Sequence, residues 1–391
     1  MPEHPTPPPR HRLRGHRRCV SLALCLAVAT GAAGTVAGLA SQSPPPAEAA
    51  ARPAPAPSAP RPTRAGAASR SPGAGNGAAV GRGTAVPAGF SPYLDVSLGV
   101  DGELPSLVRE YGLSEVTLAF VLAGDGCRPR WGGGTSLGGN PYVARIGAVR
   151  AAGADVRVSF GGADGRELAT VCADVPRLTA AYRSVVDALR LTRLDFDVEG
   201  SQLADTDAHA SRARAVAALQ QEAEAAGRPL DVTFTLPVMP SGLSDDSLAL
   251  LRDAYGQGVR ISAVNIMAMD YGSEFTGDMG GYARRAATAT AAQLAGILDV
   301  PAEEAWSRVG ITVMTGVNDV AGEVFTVEDA AELLAFAREK RVGRLSTWSL
   351  NRDRLCPDGP KESADPLCGS IGQEPFAFTR VLAGHRPPTG G

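Results

Sequence analysis

Residues 194–200 read Leu194-Asp195-Phe196-Asp197-Val198-Glu199-Gly200, a strict alternation of apolar and acidic side chains closed by glycine. Successive strand side chains point to opposite faces, so Leu194, Phe196 and Val198 share one face and Asp195, Asp197 and Glu199 the other. Neighbouring acids on that face lie roughly 6–7 Å apart. Facing a confined interior, three carboxylates cannot all ionise cheaply, and at least one acquires a raised pKa. A carboxyl that keeps its proton near neutral pH suits general-acid chemistry, and Glu199, last and longest, sits where a strand end meets a ligand. The same residues also fit an edge strand showing its acids to water, or a carboxylate site for Mg²⁺ or Ca²⁺.

Working outward, short β-branched runs recur at 93–99, 116–122, 155–161, 231–236, 264–270, 310–314 and 345–350. Amphipathic stretches lie between them, clearest at 177–189, 208–226, 244–255, 281–298 and 327–340; the first puts Leu178, Tyr182, Val185, Val186 and Leu189 on one helical face. Eight strands alternating with helices over about 300 residues predict an α/β chain closed into a (β/α)8 TIM barrel. The competing open doubly wound sheet lacks its mark, since no Gly-x-Gly-x-x-Gly follows the first strand.

In such a barrel the chemistry gathers at the C-terminal strand ends. Ser159-Phe160-Gly161-Gly162 closes the third strand, Met267-Ala268-Met269-Asp270-Tyr271 the sixth, and Ser346-Thr347-Trp348-Ser349 lies on the eighth. Each alone reads as a packing glycine, a core methionine or a core tryptophan. Together, at one end of the barrel, they favour a site over the edge-strand and metal readings. Trp131, after the second strand, either extends a binding platform or caps its loop; Trp306 reads as packing.

The first 89 residues differ in kind. They hold 15 of the 30 prolines, no aromatic residue, and ten arginines against Glu3 and Glu48. A stretch so poor in large apolar side chains cannot offset its chain entropy by burial. Arginines at 10, 12, 14, 17 and 18, then an uncharged run from Cys19 to Ala40, then small residues predict an export signal over 1–42. The run is also long enough for an uncleaved membrane anchor, but its glycines and alanines favour cleavage and secretion. Residues 43–89 read as a disordered Pro/Ala/Gly-rich spacer, 90–385 as the barrel, and 386–391 as a tail. The remainder carries 28 basic and 39 acidic groups, which disfavours nucleic acid as a partner.

After export four cysteines remain, and an oxidising compartment favours two disulfides. Three pairings are possible. Cys356 and Cys368 enclose a polar, proline-rich loop and are paired locally, leaving Cys127 with Cys172. A metal site is disfavoured, because no Cys-x-x-Cys occurs and the five histidines do not cluster.

These motifs resemble glycoside hydrolase family 18 chitinases, in particular the bacterial and archaeal single-domain branch. The fourth-strand signature D-x-x-D-x-D-x-E is met at Asp195, Asp197 and Glu199, with Thr192 in place of its first Asp. The third-strand pattern is met at Ser159, Gly161 and Gly162, the sixth at Met267 and Asp270, and the eighth at Trp348. Met269 stands where many members have a tyrosine, and Tyr271 is the nearest substitute. The resemblance implies a barrel that hydrolyses β-1,4 links of chitin or chito-oligosaccharides by substrate-assisted retention. Glu199 would be the acid/base, Asp197 would orient the acetamido group, and Asp195 would share a proton with Asp197. Trp348 would floor the sugar site and Asp270 would bind the sugar. No cofactor or metal is implied, and a monomer is expected. The short stretch 316–327 suggests a shallow groove and endo attack. The same motif serves endo-β-N-acetylglucosaminidases of N-glycans, while chitin-binding lectins on this barrel typically lack the acid that Glu199 supplies; a metal-dependent hydrolase is the remote reading.

Overall fold

The computed structural model describes residues 89–98 and 104–386, so the expected leader, almost all of the spacer and most of the tail lie outside the described residues. Eight strands form the barrel wall: β1 (Tyr93–Asp95), β2 (Glu115–Ala123), β3 (Asp155–Gly161), β4 (Arg193–Asp197), β5 (Asp231–Met239), β6 (Ile261–Met267), β7 (Val309–Met314) and β8 (Arg344–Trp348). Each pairs in parallel with the next. The first strand closes the ring in two pieces. Gly89–Phe90 pairs with β8 while β1 pairs with β2. Ser91 N donates to the Leu345 carbonyl at 2.9 Å and Leu350 N to the Tyr93 carbonyl at 2.8 Å, carrying the seam along the strand. This closed wall removes the edge-strand reading of β4, which has β3 on one side and β5 on the other.

A helix follows every strand. In chain order these are α1 (Leu104–Tyr111), α2 (Ile146–Ala151), α3 (Val175–Leu189), α4 (Thr206–Ala225), α5 (Asp245–Gly256), α6 (Met279–Ile297) with the short α7 (Ala302–Ser307), α8 (Val327–Lys340) and α9 (Ala377–Leu382). Side chains of Asp174, Asp205, Ser244, Asp278 and Thr326 accept from backbone N–H groups at the starts of α3–α6 and α8, filling donors that a helix start leaves unpaired.

The alternation along β4 has the predicted consequence. Outward, Phe196 stacks on Phe160 with ring centres 5.3 Å apart, and Tyr182 of α3 meets both rings edge-on at 5.1 Å. Each such aromatic, fully buried, contributes about 2–3 kcal/mol of apolar transfer. The face of α3 read from the sequence is the buried one, and Trp306 packs edge-on against Phe336.

Inward, the barrel is polar rather than aliphatic. At its N-terminal mouth Glu115 receives Arg157 at 2.9 Å, Arg344 at 2.6 Å and Arg193 at 2.5 Å, and Arg157 also meets Asp231 at 2.8 Å. The three guanidinium groups hold the Glu115 carboxyl far below the usual carboxylate range despite its burial. Strand starts thus carry a charged plug, leaving the other mouth for chemistry. Both expected disulfides are present, Cys127–Cys172 and Cys356–Cys368. Among the described residues no helix is long and apolar enough to cross a membrane.

Candidate active site

The three acids of β4 occupy three depths. Asp195 is wholly buried, and its two oxygens take four hydroxyls. Tyr93 and Ser159 donate to Oδ2 at 3.0 and 2.7 Å, and Thr233 and Thr235 to Oδ1 at 2.5 and 2.9 Å. Asn265 supports this layer, donating to Tyr93, Thr235 and Thr312. Ser159 therefore serves the innermost acid.

Asp197, one level up, is 4% exposed, and its Oδ1 has no hydrogen-bond partner among the described residues. Burial first, then the charges of Glu199 and Asp195, push its carboxyl well above the ordinary value. The ladder of β4 ends here, but Val198 N still donates to the Thr235 carbonyl at 3.0 Å, which presents Glu199 at the rim. Burial, Asp164 and Asp270 push Glu199 up to about 7. The raised pKa expected of this face thus falls on its two upper acids.

A cavity of about 580 Å³ opens above them. Asp197, Glu199, Met269, Asp270 and Trp348 line it, as do Tyr93, Phe120, Asp164, Met267, Met314 and Asp319. Trp348 stacks on Phe120 at 5.4 Å and meets Tyr93 edge-on at 6.0 Å, so the indole is braced from two strands. Asp270, three residues past the end of β6, sits at φ 52, a left-handed conformation that aspartate tolerates. Val320 N holds its carboxyl at 3.0 Å from the hairpin joining Gly316–Val317 to Val324–Phe325.

Gly161 and Gly162 both adopt positive φ. A β-carbon on Gly161 would strike the Asp197 carbonyl oxygen, and one on Gly162 would lie 2.8 Å from the Phe120 ring. These glycines let β3 close on β4 and let Phe120 sit under the cavity.

Two candidates lie elsewhere. Trp131 is 3% exposed, pairs with Val121 in a hairpin and donates its indole N–H to the Leu137 carbonyl at 3.1 Å, so it caps its own loop outside the cavity. Tyr271 turns away from the cavity and packs against Phe275 and Tyr282, so its hydroxyl does not stand in for the tyrosine missing at Met269. Burial and Glu323 raise its pKa. Thr192 is exposed and donates to Asp155 at 3.2 Å, away from the chemistry.

Tyr93, Phe120, Asp164 and Asp319 were not read from the sequence. Asp164 had a signal: it follows the Gly161-Gly162 strand end by two residues, where barrel chemistry gathers. Among the described residues no three His, Cys, Asp or Glu side chains converge as metal ligands, so the acids are not arranged as a cation cage.

A closed (β/α)8 barrel with a proton-holding carboxyl, an inward acid pair and an aromatic wall at its C-terminal mouth is the architecture of a glycosidase. The comparisons agree. The Escherichia coli protein called "Probable bifunctional chitinase/lysozyme" is 34% identical over 306 residues, 75% of this chain and 34% of its own length. "Endochitinase 11" of Metarhizium anisopliae is 34% identical over 275 residues, 68% of this chain and 52% of its own. This chain thus spans about a third and about half of the curated relatives it matches. Catalytic-site mutants of active domain 2 of the thermostable Pyrococcus furiosus chitinase, complexed with chito-oligosaccharides, superpose at TM-score 0.67 and 32% identity, covering 76% of this chain and 94% of that one. No protein-family model matches the chain. The chain belongs to the glycoside hydrolase family 18 chitinases.

Proposed function

We propose that the protein is a secreted, endo-acting chitinase that cleaves β-1,4-linked N-acetylglucosamine with retention, the substrate's own acetamido group acting as nucleophile. One observation carries this reading. A carboxyl pushed up to about 7, Glu199, shares a cavity with Asp197, whose buried Oδ1 has no partner among the described residues. Glu199 donates its proton to the glycosidic oxygen as the C1–O bond breaks. The acetamido oxygen forms a bond to C1, and positive charge spreads over the resulting oxazolinium ring. Asp197 Oδ1 accepts from the acetamido N–H, which satisfies the orphan acceptor and holds the acetamido oxygen toward C1. Glu199, now ionised, takes a proton from water as the water oxygen opens the ring at C1. Trp348 and the methionines offer an apolar wall to the sugar faces, and Asp195 positions Asp197 through its charge.

In this reading residues 1–42 export the chain, 43–89 act as a spacer and 90–385 form a catalytic domain that works as a monomer. The test is a product profile on colloidal chitin, chito-oligosaccharides and an N-glycoprotein, with Glu199→Gln as control. Chito-oligomers released from chitin, and none from the variant, support the proposal. Cleavage confined to the N-glycoprotein, or turnover by the variant, would sink it.

A further inference from the structure

The geometry points to a preference for partly deacetylated chitin, in which Asp164 takes a positively charged glucosamine beside the cleaved N-acetylglucosamine. This deepens the proposed function and rests on it. Among the described residues five carboxylates line the cavity (Asp164, Asp197, Glu199, Asp270 and Asp319) and no Lys, Arg or His does. Proton donation and acetamido binding use Glu199 and Asp197. Val320 N holds Asp270. The buried Arg352 acts on Asp319 while donating to the carbonyls of Thr315, Val317 and Asp365. Asp164 has no such compensation. It is exposed just past the end of β3, it makes no hydrogen bond or ion pair with any described residue, and its charge bears on Glu199.

A second feature marks the cavity as a ligand site: Asp197, only 4% exposed, lines it, and its buried Oδ1 has no hydrogen-bond partner among the described residues. The acids do not converge as metal ligands among the described residues. A cationic ligand that matches them therefore carries its charge on a unit separate from the one Asp197 binds. Chitin with occasional free amines has that form, an acetamido on one sugar and an ammonium on the next. An exposed carboxylate–ammonium pair supports roughly two- to fivefold selection, weakening as salt is added.

The test is hydrolysis of a randomly N-acetylated chitosan of known composition at about pH 5.5, where an aliphatic amine is protonated, followed by sequencing of the product ends. Glucosamine should be over-represented roughly two- to fivefold at one of the two units next to the cleaved N-acetylglucosamine, either the new non-reducing end or the unit just inside the new reducing end. Asp164→Asn should remove that bias, and 0.5 M NaCl should reduce it. Flanking units that match the polymer's composition, or a bias unchanged in Asp164→Asn, would overturn the proposal. The readout is a ratio among products, so a slower variant still reports. Glucosamine at the new reducing end would instead overturn the substrate-assisted reading itself, and this inference with it.

Discussion

The Tyr93 hydroxyl donates to Asp195 Oδ2 at 3.0 Å, joining the first strand to the fourth across the barrel interior. With Ser159, Thr233 and Thr235 it fills both oxygens of Asp195, and among the described residues no hydrogen bond joins Asp195 to Asp197. Asp195 thus bears on Asp197 through charge and position. Removing one donor to a buried acid costs about 1.5 kcal/mol or more. Tyr93→Phe is therefore expected to lower kcat about tenfold with a smaller change in KM; steady-state kinetics on a chito-oligosaccharide checks this, and an unchanged kcat would remove Tyr93 from the positioning layer.

Activity should fall as pH rises through Glu199's value of about 7, because the acid must hold its proton. Asp164 raises that value, so Asp164→Asn should move the alkaline limb of kcat/KM to lower pH. A limb that stays in place would show that the two carboxyls do not communicate.

Glu199 also costs stability. Its folded pKa of about 7 lies above the ordinary 4.5, so the folded state is favoured below pH 4.5 and loses that advantage as pH rises toward 7. Glu199→Gln removes the ionisation and should be more stable than the parent by about 3 kcal/mol above pH 7. The gain should shrink toward zero near pH 4. Urea unfolding at the two pH values measures it, and a pH-independent difference would contradict the assignment.

At the opposite mouth, Glu115→Gln leaves Arg157, Arg193 and Arg344 without their shared counter-charge. A loss of about 3–5 kcal/mol is expected, since breaking a buried ion pair strands the remaining charge. Because Glu115 is held far below the usual range, its contribution is present above the unfolded pKa and persists deep into acid, being lost only as pH falls through the folded value. Denaturant midpoints of the two proteins at neutral pH give the comparison.

The barrel was legible where periodicity was strong. Residues 194–199 declared a strand and its acidic face, and the longer helices α3–α6 and α8 showed their apolar stripes. The helices α2 and α9, six residues each, and α1, eight residues long, are too short to display a period. The split first strand was illegible because its two pairings depend on distant partners, β8 and β2. In the site, motif-bearing ends of the third, fourth, sixth and eighth strands were readable one strand at a time. Tyr93, Phe120 and Asp319 join the cavity only after closure, and nothing local distinguishes them. Trp131 and Tyr271 were ambiguous in the other direction: both are aromatic and near strand ends, and only local packing shows that Trp131 takes the loop-capping role of its two readings and that Tyr271 turns to its own loop.

The central claim is retention through the substrate's acetamido group, and the anomer formed first tests it most directly. Proton NMR of N-acetylglucosamine oligomers should show the β-anomer appearing before mutarotation. Initial α-anomer would mean that water attacks C1 directly, contradicting the role assigned to Asp197 and the acetamido group.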